Sequence, residues 1–210
     1  MARISAYESF KDRLMTGELK PGQFVTQREL ATLADVPLSI AREAIQKLQH
    51  EKLLKVHPQR GIQITDITTR FIREAFQIRE ILESNAIRNF AEKHQDEAKS
   101  LLDKTREILA SAKKDTSVKV LEKAIEVDWR MHDMVIEKMD NSLLTEMYQI
   151  NATRLRLIRV NIRFSPDRVL GALSEHVEIL ESCARGDADS AESAVAIHIN
   201  TALGQAIKGA

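Results

Sequence analysis

Four polar residues interrupt apolar helical stripes in the C-terminal two thirds of this 210-residue sequence. Leu121, Ile125, Asp128, His132, Val135 and Met139 recur at alternating steps of four and three, which sets a carboxylate and an imidazole one turn apart on a face that should be core. The pattern Leu173, His176, Val177, Leu180, Cys183 repeats the anomaly, and Ala191, Val195, His198, Ala202 and Ala206 put a third imidazole on a face of small residues. Burying such groups costs several kcal/mol unless something pairs with them. Three inward imidazoles and an inward carboxylate on three helices are ligand chemistry for a divalent cation if they converge inside a bundle. Taken singly, the same residues are equally satisfied core groups, because a buried imidazole needs only hydrogen bonds and an Asp–His pair at i,i+4 can bond to itself. Spacing alone leaves both readings open. His50, His57 and His94 fall at helix ends or in a loop among polar neighbours and mark no site.

A second group of residues lies near the N-terminus. Thr26-Gln27-Arg28-Glu29 is a capping box directly before Leu30, Ala31 and Leu33, so a short helix starts at Thr26. Ala34-Asp35-Val36 has room only for a tight turn. Pro37 then pre-sets a second helix, with Ile40, Ala41, Ala44, Ile45 and Leu48 at helical spacing through Gln49. Two short helices across a three-residue turn form a helix-turn-helix. Leu53–Val56 and Ile62–Ile64 follow as strands around His57-Pro58-Gln59-Arg60-Gly61, a small wing. Arg28, Ser39, Arg42 and Lys47 suit either an ordinary solvated face or a nucleic-acid surface. The wing favours double-stranded DNA, since Gln59 and Arg60 sit beside Gly61, where a backbone without Cβ approaches a phosphate closely.

The elements that must position these residues are legible from where the chain breaks. Gly17, Pro21, Gly22, Pro37, Pro58 and Gly61 crowd the first 61 residues, and then neither residue type occurs from Ile62 to Phe164. A hundred residues without a breaker, rich in Ala, Leu, Ile, Glu, Lys and Arg, predict helices joined by short polar turns. A boundary is expected within Thr65–Thr69, giving a DNA-binding domain over 1–66 and a helical domain over 67–210, with Thr68 or Thr69 as an N-cap. In the first domain Ile4, Phe10, Leu14 and Leu19 mark an amphipathic helix closed by Gly17. The second parses into six helices, from about Phe71 to Ala91, Ala98 to Ala112, Val118 to Met139, Ser142 to Arg163, Pro166 to Arg185 and Asp187 to Lys208.

Composition bounds the function. Charged residues make up 30% and hydrophobic ones 43%, no apolar run approaches the roughly 20 residues of a membrane span, and the expectation is a soluble protein with no membrane partner. Met1–Phe10 has no apolar leader and Cys183 is the single cysteine, so a reducing cytoplasm is expected. Lys/Arg and Asp/Glu number 31 each, but residues 1–65 hold ten basic against seven acidic and the remainder 21 against 24, so any basic face lies in the first part.

These residues converge on a family. Leu14–Ile64 resembles the winged helix-turn-helix of GntR-type bacterial transcription regulators through Gly17-x-Leu19-x-Pro21-Gly22, Arg28-Glu29-Leu30-Ala31, Arg42-Glu43-Ala44-Ile45-x-x-Leu48 and Arg60-Gly61. The remainder resembles the FCD effector domain of the FadR-like branch through Ile78-Arg79-x-x-Leu82-Glu83, Asp128-x-x-x-His132, Asn141, Glu175-His176-x-x-Ile179-Leu180, Gly186-Asp187-x-x-x-Ala191 and His198. The resemblance implies a mostly α fold, an N-terminal winged helix-turn-helix followed by an all-α FCD-type bundle. It also implies a divalent metal (zinc, nickel or manganese) on Asp128, His132, His176 and His198. The expected protein is a homodimeric repressor-type regulator on an inverted-repeat operator, tuned by a small carboxylate effector that meets Arg79, Asn151 and Arg154. Arg79 has a plainer use as the i,i+4 partner of Glu83.

Two positions depart from the family's pattern. Leu38 stands where the recognition helix usually carries its first arginine, and it cannot hydrogen-bond a guanine edge. Lys52 stands where a glycine commonly precedes the wing, which predicts a blunter turn or a left-handed lysine. Two other functions fit the same ligands: a helical-bundle metalloenzyme that activates water, and a purely structural ion. Against the enzyme, four protein ligands close a tetrahedral zinc, and no general base stands out.

Overall fold

A computed structural model describes residues 5–162 and 165–210. The described residues divide into two compact units. One comprises the chain up to Ile72 together with Ala152–Ile162 and Ala210; the other comprises Arg73–Asn151 and the described part of 163–209.

The first unit is a winged helix-turn-helix. Helix α1 (Ala6–Met15) starts at Ser5, whose side chain accepts from the Glu8 amide, and it buries Ala6, Phe10 and Leu14. Ile4, expected on this helix, lies outside the described residues. Leu19 is buried beyond the helix end, because Gly17 adopts φ +74° and turns the chain back so that the Leu19 amide reaches Arg13 O at 3.1 Å. Strand β1 (Phe24–Val25) follows, then α2 (Gln27–Leu33), opened by the Thr26–Glu29 capping box with both of its hydrogen bonds in place. Asp35 takes φ +50° in the turn, and α3 (Leu38–His50) comes next. Both α1 and α2 lie against α3. Along α3, Ala41, Ala44, Ile45 and Leu48 are buried as expected, but Ile40 is 43% exposed: the apolar stripe begins one residue later.

Helix α3 ends in a Schellman motif. The Lys52 amide bonds to Gln49 O and the Leu53 amide to Leu48 O, while Lys52 carries φ +63° and Leu53 packs fully buried as does Leu48. The lysine is therefore left-handed. It directs the chain into β2 (Leu54–His57), which pairs antiparallel with β3 (Gly61–Ile64); β3 in turn pairs with β1, so the sheet order is β1-β3-β2. β1 was not expected from sequence, since two residues carry no periodicity and the strand exists only through its partner. The last turns of α7 (Ser142–Asn161) complete this unit, with Leu157 in its core.

The second unit is all helical. Helix α4 (Thr69–Lys93) is capped by Thr68, whose hydroxyl accepts from the Phe71 amide at 3.1 Å, and it begins two residues before the expected start. There follow α5 (Gln95–Lys114), α6 (Val118–Glu137), the first part of α7, α8 (Pro166–Ala184) and α9 (Ala188–Gly209). Arg163, the expected end of α7, lies outside the described residues. Helix α8 is central, packing on α5, α6 and α9. Helix α9 also docks on α4 through Arg88, which binds Asp189 and Glu192 at 2.7 and 2.6 Å. Among the described residues no helix is long and apolar enough to cross a membrane.

Candidate metal centre

Helical periodicity alone turns Asp128 and His132 of α6 inward, one turn apart, and both are buried. His176 of α8 and His198 of α9 are buried as well, and the three helices bring the three imidazoles together. Ring centroids stand 4.8 Å apart for His132 and His176, 5.3 Å for His132 and His198, and 4.5 Å for His176 and His198. One ring nitrogen from each lies within 4.8 Å of the other two. Asp128 reaches the cluster through His176, its Oδ1 3.6 Å from Nε2.

From α4, Arg79 enters the same cluster. Its Nη2 lies 2.6 Å from His132 Nε2 and 3.4 Å from His198 Nε2, and its Nε donates to Glu83 Oε1 at 3.0 Å. Arg79 thus pairs with Glu83, the plainer of the two sequence readings, and also points at the histidines. Glu83 Oε2 in turn stands 2.8 Å from His132 Nδ1. On the opposite side Glu175 Oε2 stands 2.7 Å from His198 Nδ1, and Arg168 grips both oxygens of that carboxylate at 2.7 and 3.0 Å. Glu83, Glu175 and Arg168 were not singled out from sequence as site residues. The available signal was weak: Glu83 is four residues from Arg79, and Glu175 adjoins His176 but precedes it on another helical face.

Burial pushes the imidazoles of His176 and His198 below their ordinary pKa, well below for His198, where the neighbouring His176 and Arg79 add to the effect. At neutral pH both rings are uncharged, the form in which a histidine binds a metal. The donor set fits a borderline divalent ion. The 3.3 Å between His176 Nε2 and His198 Nε2 is the separation of two nitrogens at about 2.0 Å from one tetrahedral zinc, roughly 3.3 Å.

The other expected site residues are placed as follows. Asn151 is 1% exposed; its Nδ2 donates to Ala75 O at 2.9 Å, one turn of α4 before Arg79, and its Oδ1 is buried without a partner. Arg154, expected beside the effector, belongs to the first unit. There its Nε donates at 3.0 Å to Glu51 O, the carbonyl at the end of α3. Arg28, Ser39, Arg42, Gln59 and Arg60 are exposed on the first unit, and Arg42 Nε reaches Gln27 Oε1 at 3.1 Å. Leu38 is half-buried against the core of that unit. Gly61 has a use within the sheet: it adopts φ +102°, and a Cβ there would meet Val25 O at 2.9 Å.

Known proteins share this organisation. The family model for bacterial regulatory proteins of the gntR family matches residues 4–64, and that for the FCD domain matches residues 74–201. The HTH-type transcriptional regulator YdhC of Bacillus subtilis strain 168 is 24% identical over 201 residues, 94% of this chain and 87% of that protein. The structure of McbR/YncC from E. coli superposes with a TM-score of 0.74 at 19% identity, over 97% of this chain and 95% of that one. The Zn2+-bound FCD domain of TM0439 aligns with a TM-score of 0.50 at 20% identity, over 68% of this chain and 95% of that one. With a helix-turn-helix and wing ahead of an all-helical bundle, and with both family models matched in that order, this chain belongs to the GntR family of bacterial regulatory proteins, in the branch that carries an FCD domain, and is a transcription regulator.

Proposed function

We propose that the protein binds a double-stranded DNA operator as a homodimer, and that a divalent ion and a small carboxylate in the FCD domain set its affinity for that operator. The convergence of His132, His176 and His198 beside the buried Arg79 carries this reading. Asp128, His132, His176 and His198 would hold zinc, nickel or manganese, and a Zn2+-bound relative of the same fold supports the assignment. When bound with five or six ligands, the ion would supply a concentrated positive charge and, beyond the four side chains, a coordination position for an anion. Arg79 adds a fixed second charge, oriented by Glu83, for the far oxygen of a carboxylate. Asn151 offers its unpartnered Oδ1 to a donor on the same effector. Arg154 is left to the end of the recognition helix.

On the first unit, Arg28, Ser39 and Arg42 lie at or near the starts of α2 and α3, the ends that face the groove in this motif, and Gln59, Arg60 and Gly61 lie at the wing tip. Two-fold symmetry of the dimer would match an inverted-repeat operator. The effector acts by its differential affinity for two arrangements of the dimer.

The test is a gel shift of genomic fragments with zinc-loaded protein, repeated after chelation and with a panel of small carboxylates. A fragment class is expected to be retained specifically, with retention altered by one carboxylate only while zinc is present. Retention no better than bulk DNA sinks the operator reading, and a carboxylate response that survives chelation sinks the metal-assisted one.

A further inference from the structure

His198 is approached by an acceptor on one ring nitrogen and by a donor on the other. An ionised carboxylate only accepts hydrogen bonds, and a guanidinium only donates them. Glu175 Oε2 at 2.7 Å from His198 Nδ1 therefore places the proton on Nδ1 and leaves a lone pair on Nε2, and Arg79 Nη2 lies on that side at 3.4 Å. His132 is held differently: Glu83 Oε2 makes no hydrogen bond to it, and Arg79 Nη2 reaches both of its ring nitrogens, at 2.6 Å from Nε2 and 3.2 Å from Nδ1.

We propose that Glu175 is a positioning residue of the cation site, fixing the tautomer of His198 so that its Nε2 lone pair faces His176 across the cluster. Arg168 clamps Glu175 through two hydrogen bonds, so the carboxylate is oriented before any ligand arrives.

His176 completes the set with the opposite tautomer. Its Nε2 lies 3.3 Å from the lone pair on His198 Nε2 and 3.6 Å from Asp128 Oδ1, two acceptors, so this nitrogen carries the proton. Its Nδ1 is buried and has no hydrogen-bond partner. His198 is thus ready to donate its Nε2 lone pair, while His176 must pass its proton from Nε2 to Nδ1 before its own Nε2 can join it.

The tautomers stand on geometry alone; the effect on affinity rests on the metal reading above. Long-range proton–nitrogen correlation spectra of the metal-free, full-length protein, assigned by single histidine substitutions, measure the tautomers directly. His198 should show protonated Nδ1 and His176 protonated Nε2. In Glu175→Gln, His198 should lose its single tautomer and zinc affinity should fall about 10- to 100-fold, while the circular dichroism stays that of the wild type. Glu175 is 25% exposed, so its replacement by the isosteric amide should leave the fold intact. Protonated Nε2 on His198 in the wild type overturns the proposal. So does Glu175→Gln with full zinc affinity and only a lowered melting temperature, which is what a merely structural ion pair gives. If the tautomers are as stated but wild-type protein takes up no zinc, the positioning assignment stands and the metal reading falls.

Discussion

Removing His198 separates a metal centre from a cluster of hydrogen-bonded core residues. A cation on Asp128, His132, His176 and His198 would tie α6, α8 and α9 together, so its binding energy enters the stability of the helical unit. With free zinc at 100 times the dissociation constant that contribution is about 2.7 kcal/mol. For a unit of about 120 residues this corresponds to a rise in Tm of roughly 10 °C. Truncation to alanine also acts without metal. It takes the partner from His176 Nε2 and the imidazole from Glu175, at about 1–3 kcal/mol for buried groups left unsatisfied. The metal-free Tm of His198→Ala should therefore lie below that of the metal-free wild type. The decisive quantity is the difference between zinc-loaded and chelated samples, read by differential scanning calorimetry beside metal analysis: roughly 10 °C in wild type and close to zero in His198→Ala. A variant that keeps the wild-type difference removes His198 from the site. A wild type with no metal and no difference means that the four residues are core groups satisfied by one another and by Arg79.

Other consequences can be checked on the same preparations. Arg42→Ala should weaken operator binding by about 1–3 kcal/mol if the side chain meets a base edge, or lower the salt slope by about one if it meets a phosphate; fluorescence anisotropy across a salt series distinguishes these from no contact. Tyr7→Phe should cost about 1.5–3 kcal/mol in denaturant melts, because the Tyr7 hydroxyl serves both oxygens of the buried Glu51 at 2.8 and 2.9 Å, and a loss under 0.5 kcal/mol would show that water replaces it. Burial pushes the Cys183 thiol up to about 12, so alkylation of native protein at pH 8 should proceed only as fast as the chain opens, and labelling within seconds would refute this. Lys52→Gly should stabilise the first unit by about 0.5–1 kcal/mol, since glycine takes the left-handed C′ position without a Cβ clash; destabilisation would point to a contact made by the lysine chain.

Much of this architecture was legible in the sequence because its signals are local. The Thr26–Glu29 capping box closes with both bonds, and the long stretch without glycine or proline is helical through α4–α7. The inward placement of Asp128, His132, His176 and His198 followed from periodicity, which reports a face regardless of what lies opposite. What lies opposite was not legible. Strand β1 exists only by pairing with β3, Arg154 is spent on a carbonyl at the end of α3, and Ile40 turns outward although its type matches the stripe. Glu175 could not be linked to His198, 23 residues away on the next helix, until α8 and α9 were packed together. Leu38, read from sequence only as a missing arginine, instead packs half-buried on the core.

The wing separates what its tip presents from what holds it up. Pro58 and Gln59 occupy the two central positions of a tight turn closed by the Arg60 amide on His57 O, and Gln59, at φ +62°, stands where such turns accept several polar residues or glycine. The rigid demand falls one residue later, on Gly61, where any side chain would push β1 off the sheet. Gln59 can therefore exchange with glycine or other polar residues, and Arg60 more freely, while the three strands keep their register. If the wing meets DNA as proposed, point changes at these two positions would retarget it with the scaffold untouched, and a library holding Gln59 to residues that accept a left-handed backbone would sample specificity without sampling misfolding.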